Sequence, residues 1–518
     1  REQRVVGKEP GEGAAEIRGE VDNGRQAWAW ARTNAQVELL DSSAYSLFQF
    51  YFYTGQFSEG EHAFAHAAEH VTLHASRLPA GEPGTRRAWA VLSKLLALQA
   101  RALAGYGKNG LALPLALQAV AMGEANGGVE GAALGHLTAG RTLGRMGRNE
   151  GYRTHLELAR QLVRRHQNEH QPLDGLLEVE YSACVWLGSF TLIIENHYPA
   201  ARQFFLEALH IAQTQGSLHR EMTAVANLGN CNRLSGDYAA ARTAYERALQ
   251  IARTIGSRWG EGTVLAELGE VVRLQGDYGR AQGLLEQALP ILHDIDEYAE
   301  AAFALSSLAR IHLFQGSFGR ARDVLEQFEQ TIGAIDSHEE EVHGQLSWAW
   351  LAHQTGRHDQ ALEHAEKARR LAVTSGSREG QAGALILLGH AHARLGGLGQ
   401  AEAAYQQAQA LYDELGKAPF AAEARAGLAH VTLARGELAG ALGYAEAIGQ
   451  ALDEHPRAGM DEPFFIYLSC FLVLEASSDP RAAGVLRAAY DLLLGYASHI
   501  SDAAPRRSFL ESVATHHE

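Results

Sequence analysis

Three stretches of the chain carry one hydrophobic pattern: LGNCNRLSGDYAAARTAYERAL from Leu228, LGEVVRLQGDYGRAQGLLEQAL from Leu268, and LARIHLFQGSFGRARDVLEQFE from Leu308. After the glycine, Tyr238, Ala241, Tyr245, Ala248 and Leu249 recur at three- and four-residue steps. That spacing draws one apolar face on a helix. Before the glycine, Leu228-Gly229 belongs to a first helix whose small residue permits close approach of the second. Gly236-Asp237 ends one helix and opens the next, glycine as C-cap and aspartate as N-cap. Turn glycines Gly236, Gly276, Gly316, Gly356, Gly396 and Gly436 keep a step of 40 residues. A fixed period of this size marks stacked supersecondary units. Upstream, turns fall less evenly, near Gly55, Gly107, Gly147 and Asn196, and Ser477 opens a degenerate last one. Nothing reads as a strand. The pattern predicts an all-α array of about eleven antiparallel helix hairpins over residues 20–503, most regular across 196–450, with 504–518 as an end segment or cap.

The stretch EVDNGRQAWAWA from Glu20 alternates large and small like a strand, but its alanines and Asn23 favour a helix. At about 100° per residue, Trp28 and Trp30 then stand roughly 200° apart, on opposite sides. One indole is expected to pack on the first hairpin and the other to face an interdomain seam. The chain begins with Arg1 rather than Met, so residues 1–19 are read as a linker from a missing upstream domain.

The phrase L-G-x(6)-G-D-Y-x-x-A-x-x-x-Y-x-x-A-L resembles the tetratricopeptide repeat (TPR). The resemblance covers nearly the whole chain and implies a right-handed α-solenoid, a TPR superhelix. The usual unit is about 34 residues; six extra residues shared by two helices add about 9 Å of helix per unit. Long-helix repeats of this kind resemble those of bacterial peptide-responsive regulators and of signal-transduction ATPases of the STAND class, including MalT-like transcriptional regulators. EVDNGRQAWAWA with FYFYTGQFSEGEHAFAHAAE from Phe50 resembles the start of such a regulator's array, and APRRSFLESVATHHE from Ala504 its close. The resemblance implies a cytoplasmic sensor arm that binds an inducer and controls assembly of an NTPase domain in cis. Any oligomer would form only in the intact protein. The alternative is a stand-alone scaffold that binds partner peptides without switching.

Composition narrows the chemistry. A net charge of −16 argues against direct nucleic-acid binding. Cys184, Cys231 and Cys470 are scattered and odd in number, which fits a reducing compartment. The most apolar run, FFIYLSCFLVL from Phe464, is too short to span a membrane. No phosphate-binding loop or nucleophile elbow occurs, and HEEEVH from His338 spaces its histidines wrongly for a shared metal. The chain is therefore read as neither an enzyme nor a cofactor carrier. His62, His66, His70 and His74 fan over one helix face, opposite the packing residues Phe64, Ala67, Ala68 and Val71. They read as a polar face, with weak metal binding as the alternative.

In the TPR pattern, first helices line the concave surface, and the positions flanking Leu-Gly face a ligand. Carried onto this chain, these are Asn227, Asn230 and Arg233; Glu267, Glu270 and Arg273; Ser307 and Arg310; Trp350 and His353; His390 and Arg394; and His430. Arg141, Arg145 and Trp186 are upstream candidates in a looser register. Asparagine suits a peptide backbone or sugar, arginine an oxyanion, and tryptophan stacking. The expected occupant is a peptide, protein or small-molecule inducer. For any one residue the competing reading is plain solvation, for example Arg233 paired with Glu270.

Overall fold

A computed structural model describes residues 23–169, 174–333, 338–454, 462–500 and 503–517. The expected linker 1–19 and the first residues of the EVDNGRQAWAWA stretch lie outside them. Every regular element among the described residues is an α-helix. The 40-residue step has a simple origin. Leu218–Leu234, Tyr238–Thr254, Arg258–Leu274 and Tyr278–Asp294 are each 17 residues long, separated by three-residue turns. Each helix is thus about 25 Å long.

The turns follow the chemistry read from the sequence. Gly236 has φ +84°, a left-handed conformation that glycine adopts without a Cβ penalty. Its N–H reaches the Arg233 carbonyl at 3.1 Å, and the Asp237 N–H reaches Asn232 at 2.9 Å. The second bond spans six residues and closes the helix end. The Asp237 carboxylate then accepts from the Ala240 N–H at 3.0 Å and starts the next helix. Ser257, Asp277 and Ser377 repeat this cap. Asn196 takes the glycine's place in the upstream turn at φ 52°.

At Leu388-Gly389 the absence of a side chain is a steric requirement. A Cβ on Gly389 would stand 2.4 Å from Tyr405 Cε1, and one on Gly427 2.4 Å from Tyr405 Cζ. The Tyr405 ring, which is fully buried, is therefore wedged between two first helices that must both be bare at that point.

The chain divides into two compact units, one ending at Cys231 and the other beginning at Asn232. The core of the first joins Trp28, Phe48, Phe64, Leu95, Leu134, Leu156 and Leu187. Residues 23–33 are helical. Trp28 is 7% exposed, packs edge-on against Phe64 at 5.8 Å and donates from Nε1 to the Ala63 carbonyl at 3.3 Å. Trp30 is 56% exposed. The helix Gly175–Ile193 is long and apolar enough to cross a membrane by composition, but most of it is buried among its neighbours. The FFIYLSCFLVL run forms Pro463–Ala476, a 14-residue helix.

In the second unit the C-terminal helices fold back over earlier repeats. Phe464, Tyr496, Phe509 and His516, from Pro463–Ala476, Ala482–Ser498, Ala503–Glu511 and Ala514–His517, surround Phe314 at ring distances of 5.3 to 6.0 Å. Tyr496 also meets Tyr278 at 5.7 Å. Ser508 donates to the Gly316 carbonyl at 2.7 Å, and Gln354 to Glu462 at 3.1 Å. The end segment thus lies against Phe314 and Gly316, and Tyr496 of the helix before it against Tyr278.

Candidate ligand-binding face

In the first unit the candidate residues stand on consecutive first helices. Arg141 and Arg145 are on Val129–Arg145, and Trp186 is on Asp174–Ile193. The Arg141 guanidinium lies over the Trp186 indole, 4.7 Å from the ring centre. That is a cation–π distance. The Tyr152 hydroxyl donates to the Trp186 carbonyl at 2.9 Å and fixes that stretch of backbone. Arg145 Nη1 bonds the Ala104 carbonyl. Two further charged helices bear on the same place: Arg101 donates to Glu178 at 3.3 Å, and Arg220 pairs with the other oxygen of the same carboxylate. Burial, then the like charges of Arg101 and Arg145, bring the Arg141 pKa down to about 9. Asn227 and Asn230 are half-buried on Leu218–Leu234.

In the second unit the structure joins the expected residues into an internally neutralised network. Arg273 donates twice to Glu270, Nε to Oε2 and Nη2 to Oε1, each at 2.8 Å. Arg233 Nε stands 3.4 Å from Glu267 Oε2, which also accepts from the Tyr245 hydroxyl at 3.3 Å. Arg233 thus stands beside Glu267, and its charge also acts on Glu270, whose oxygens Arg273 holds. Burial alone would raise Glu270; the charge and hydrogen bonds of Arg273, then Arg310 and Arg233, pull it down to about 2. Glu267 stands above its ordinary range, because burial outweighs the opposing pull of Arg233. Ser307 is buried.

Further along the second unit, His353 and His390 approach at 5.4 Å between ring centres. Burial, then Arg394 and His430, keeps His390 neutral. Its ring satisfies both neighbours in that form: the Tyr405 hydroxyl meets Nδ1 at 2.8 Å and Nε2 meets Glu423 at 3.2 Å. Its face packs edge-on against Phe465 of the C-terminal segment at 4.8 Å, and His430 lies 6.4 Å from the same ring. Trp350 is half-buried, while Arg394 and His430 are exposed. His390 is thus a packed, hydrogen-bonded core group already covered by the chain's own Phe465.

His62 and His66 are exposed and His70 and His74 half-buried, with Phe64, Ala67, Ala68 and Val71 buried on the other side of the helix. Among the described residues no three His, Cys, Asp or Glu side chains gather as a metal site.

Sequence reasoning missed Arg101, Glu178 and Arg220. Arg101 stands one 40-residue step before Arg141, and Gly107 the same step before Gly147. The turns on either side are uneven, upstream because Pro83–Gly105 has 23 residues in place of 17.

Comparison with known proteins agrees with this architecture. The tetratricopeptide repeat model matches residues 181–254, 220–294 and 260–328. No curated protein matches the sequence. Among solved structures, the apo form of RapI is similar at 11% identity, over 73% of this chain and 99% of that one, with a TM-score of 0.55. The Rap conjugation gene regulator of plasmid pLS20, in complex with the Phr* peptide, is 14% identical over 54% of this chain and 75% of that one, TM-score 0.47. A STAND protein with a tetratricopeptide repeat sensor from Pyrococcus horikoshii is 14% identical over 69% and 53%, TM-score 0.41. The chain is an all-helical solenoid, and residues 181–328 carry tetratricopeptide repeats.

Proposed function

We propose that the chain is the ligand-sensing, protein-interaction arm of a multidomain STAND-class regulator. On this reading an inducer, peptide or small molecule, binds the first-helix face and controls assembly of an NTPase domain in the same polypeptide. The observation that carries the reading is chemical: Arg141, Trp186 and Asn227 lie on first helices of the first unit, partly open to solvent. Side chains so placed are available to a ligand. The resemblance of the opening and closing stretches to STAND arrays supports the regulator context. Differential affinity of the ligand for two states of the whole protein would supply the switch.

Mass spectrometry of the protein purified from its natural cell tests this. A peptide or small molecule released on denaturation, whose addition changes the nucleotide-dependent assembly of the full-length protein, is the expected result. Assembly indifferent to the bound molecule would leave a scaffold instead.

A further inference from the structure

The two units treat their first-helix arginines differently. In the second unit each buried guanidinium meets a carboxylate: Arg273 meets Glu270, and Arg233 meets Glu267. In the first unit the balance is uneven. Arg101, Arg141, Arg145 and Arg220 converge from three first helices, Pro83–Gly105, Val129–Arg145 and Leu218–Leu234, with Glu178 of a fourth as the carboxylate among them. Glu178 is already held by Arg101 and Arg220 and by the Ser182 hydroxyl at 3.2 Å. Arg145 is tied to the Ala104 carbonyl. Arg141 has no hydrogen bond or ion pair among the described residues; its contact is the Trp186 face. Arg101 Nε and Nη1 are buried and likewise have no hydrogen-bond partner there, while its guanidinium lies over Phe48 at 4.8 Å.

A guanidinium without a counter-charge that is partly withdrawn from water, as half-buried Arg141 is over Trp186, costs free energy unless an anion meets it. In a chain of net charge −16, surplus positive charge on these first helices is a local exception. The guanidinium fork is shaped for two oxygens of one planar or tetrahedral oxyanion. Stacking on an indole fixes its plane and leaves its edge N–H groups to donate. Trp186 is 36% exposed, so the site opens to solvent on that side.

We propose that Arg141, flanked by Arg101 and Arg145 and oriented by Trp186, binds an oxyanion, carboxylate or phosphate, of the ligand that this face takes. The assignment rests on the ligand-sensing reading above. It adds the chemistry of the ligand and places its anchor in the first unit, away from the neutralised network of the second.

The test is calorimetric titration of the whole chain with citrate and, separately, inorganic phosphate at low salt. At least one binds the unsubstituted protein, and the tighter of the two identifies the oxyanion. Arg141→Gln weakens binding at least tenfold; Arg258→Gln, at an exposed arginine of the second unit that pairs with Asp294, changes it less than twofold. Phenylglyoxal labelling of the unsubstituted chain, mapped by peptide mass, reads the site without relying on the folding of a variant: the bound probe protects Arg141. Binding of neither probe at ten millimolar, undiminished binding to folded Arg141→Gln, or labelling of Arg141 indifferent to the probe each overturns the proposal. A copurifying ligand that survives Arg141→Gln at full yield overturns the anion site and leaves the sensing reading standing.

Discussion

Arg273 grips Glu270 one helical turn before it through two 2.8 Å hydrogen bonds, and both side chains are buried. The sequence marks both as groove residues able to meet a ligand; in the structure each already satisfies the other. Arg273→Leu therefore strands a buried carboxylate and costs about 3–5 kcal/mol. Adding Glu270→Leu recovers most of the loss, because two apolar side chains of similar size replace the pair without an orphan charge. Urea denaturation of the single and double variants checks this. A double variant as unstable as the single one would show that the pair itself contributes net stability.

Gly389→Ala tests the wedge at Tyr405. The new Cβ would meet the ring at 2.4 Å, and Gly427 closes the opposite side, so the ring has no room to retreat. The expected cost is about 2 kcal/mol. The paired variant Gly389→Ala with Tyr405→Leu should be less affected than the two changes summed, since the smaller side chain relieves the clash. Thermal melts of the three variants measure the coupling.

These two sites show what a single sequence makes legible. The position at 389 is small in every 40-residue unit from Gly229 to Ala429, Gly or Ala, and that at 405 apolar or tyrosine, so their facing follows from the helical step. The partner of an arginine does not. Arg233 has Glu267 and Glu270 at one helical turn's separation on the next first helix, and its charge acts on both, while Arg273 holds Glu270 through two hydrogen bonds. The fold-back of the C-terminal helices is harder still: Ser508 meets Gly316 across 192 residues. No repeat spacing encodes that contact. The first-unit arginine column is only half visible: Arg101 and Arg141 keep the 40-residue step, but the long helix Pro83–Gly105 breaks the regular spacing upstream of them.

The opening pair of tryptophans separates by burial. Trp28→Ala removes an indole packed on Phe64 and bonded to Ala63, and costs about 3–5 kcal/mol. Trp30→Ala, at an exposed indole, stays within about 0.5 kcal/mol. If Trp30 forms the interdomain seam, its emission shifts to the blue when the chain is studied with the upstream domain attached. Equal emission in the two contexts would remove the seam.

Acid should loosen the C-terminal fold-back. His516 is buried against Phe314, Phe464 and Phe509, with Nδ1 bonded to the Phe509 carbonyl at 2.7 Å. Burial, only partly offset by that bond, lowers its pKa from 6.5 to about 4. The unfolded chain therefore takes up this proton first as pH falls. The neutral ring's contribution is intact above pH 6.5 and is lost progressively between 6.5 and about 4, where it levels off. The window corresponds to at most about 3 kcal/mol. His516→Phe keeps the aromatic contacts and removes the titrating group, so its stability should depend less on pH across this range. Denaturation midpoints at pH 7, 6, 5 and 4 for both proteins test this, and parallel curves would show that His516 titrates alike in the folded and unfolded chain.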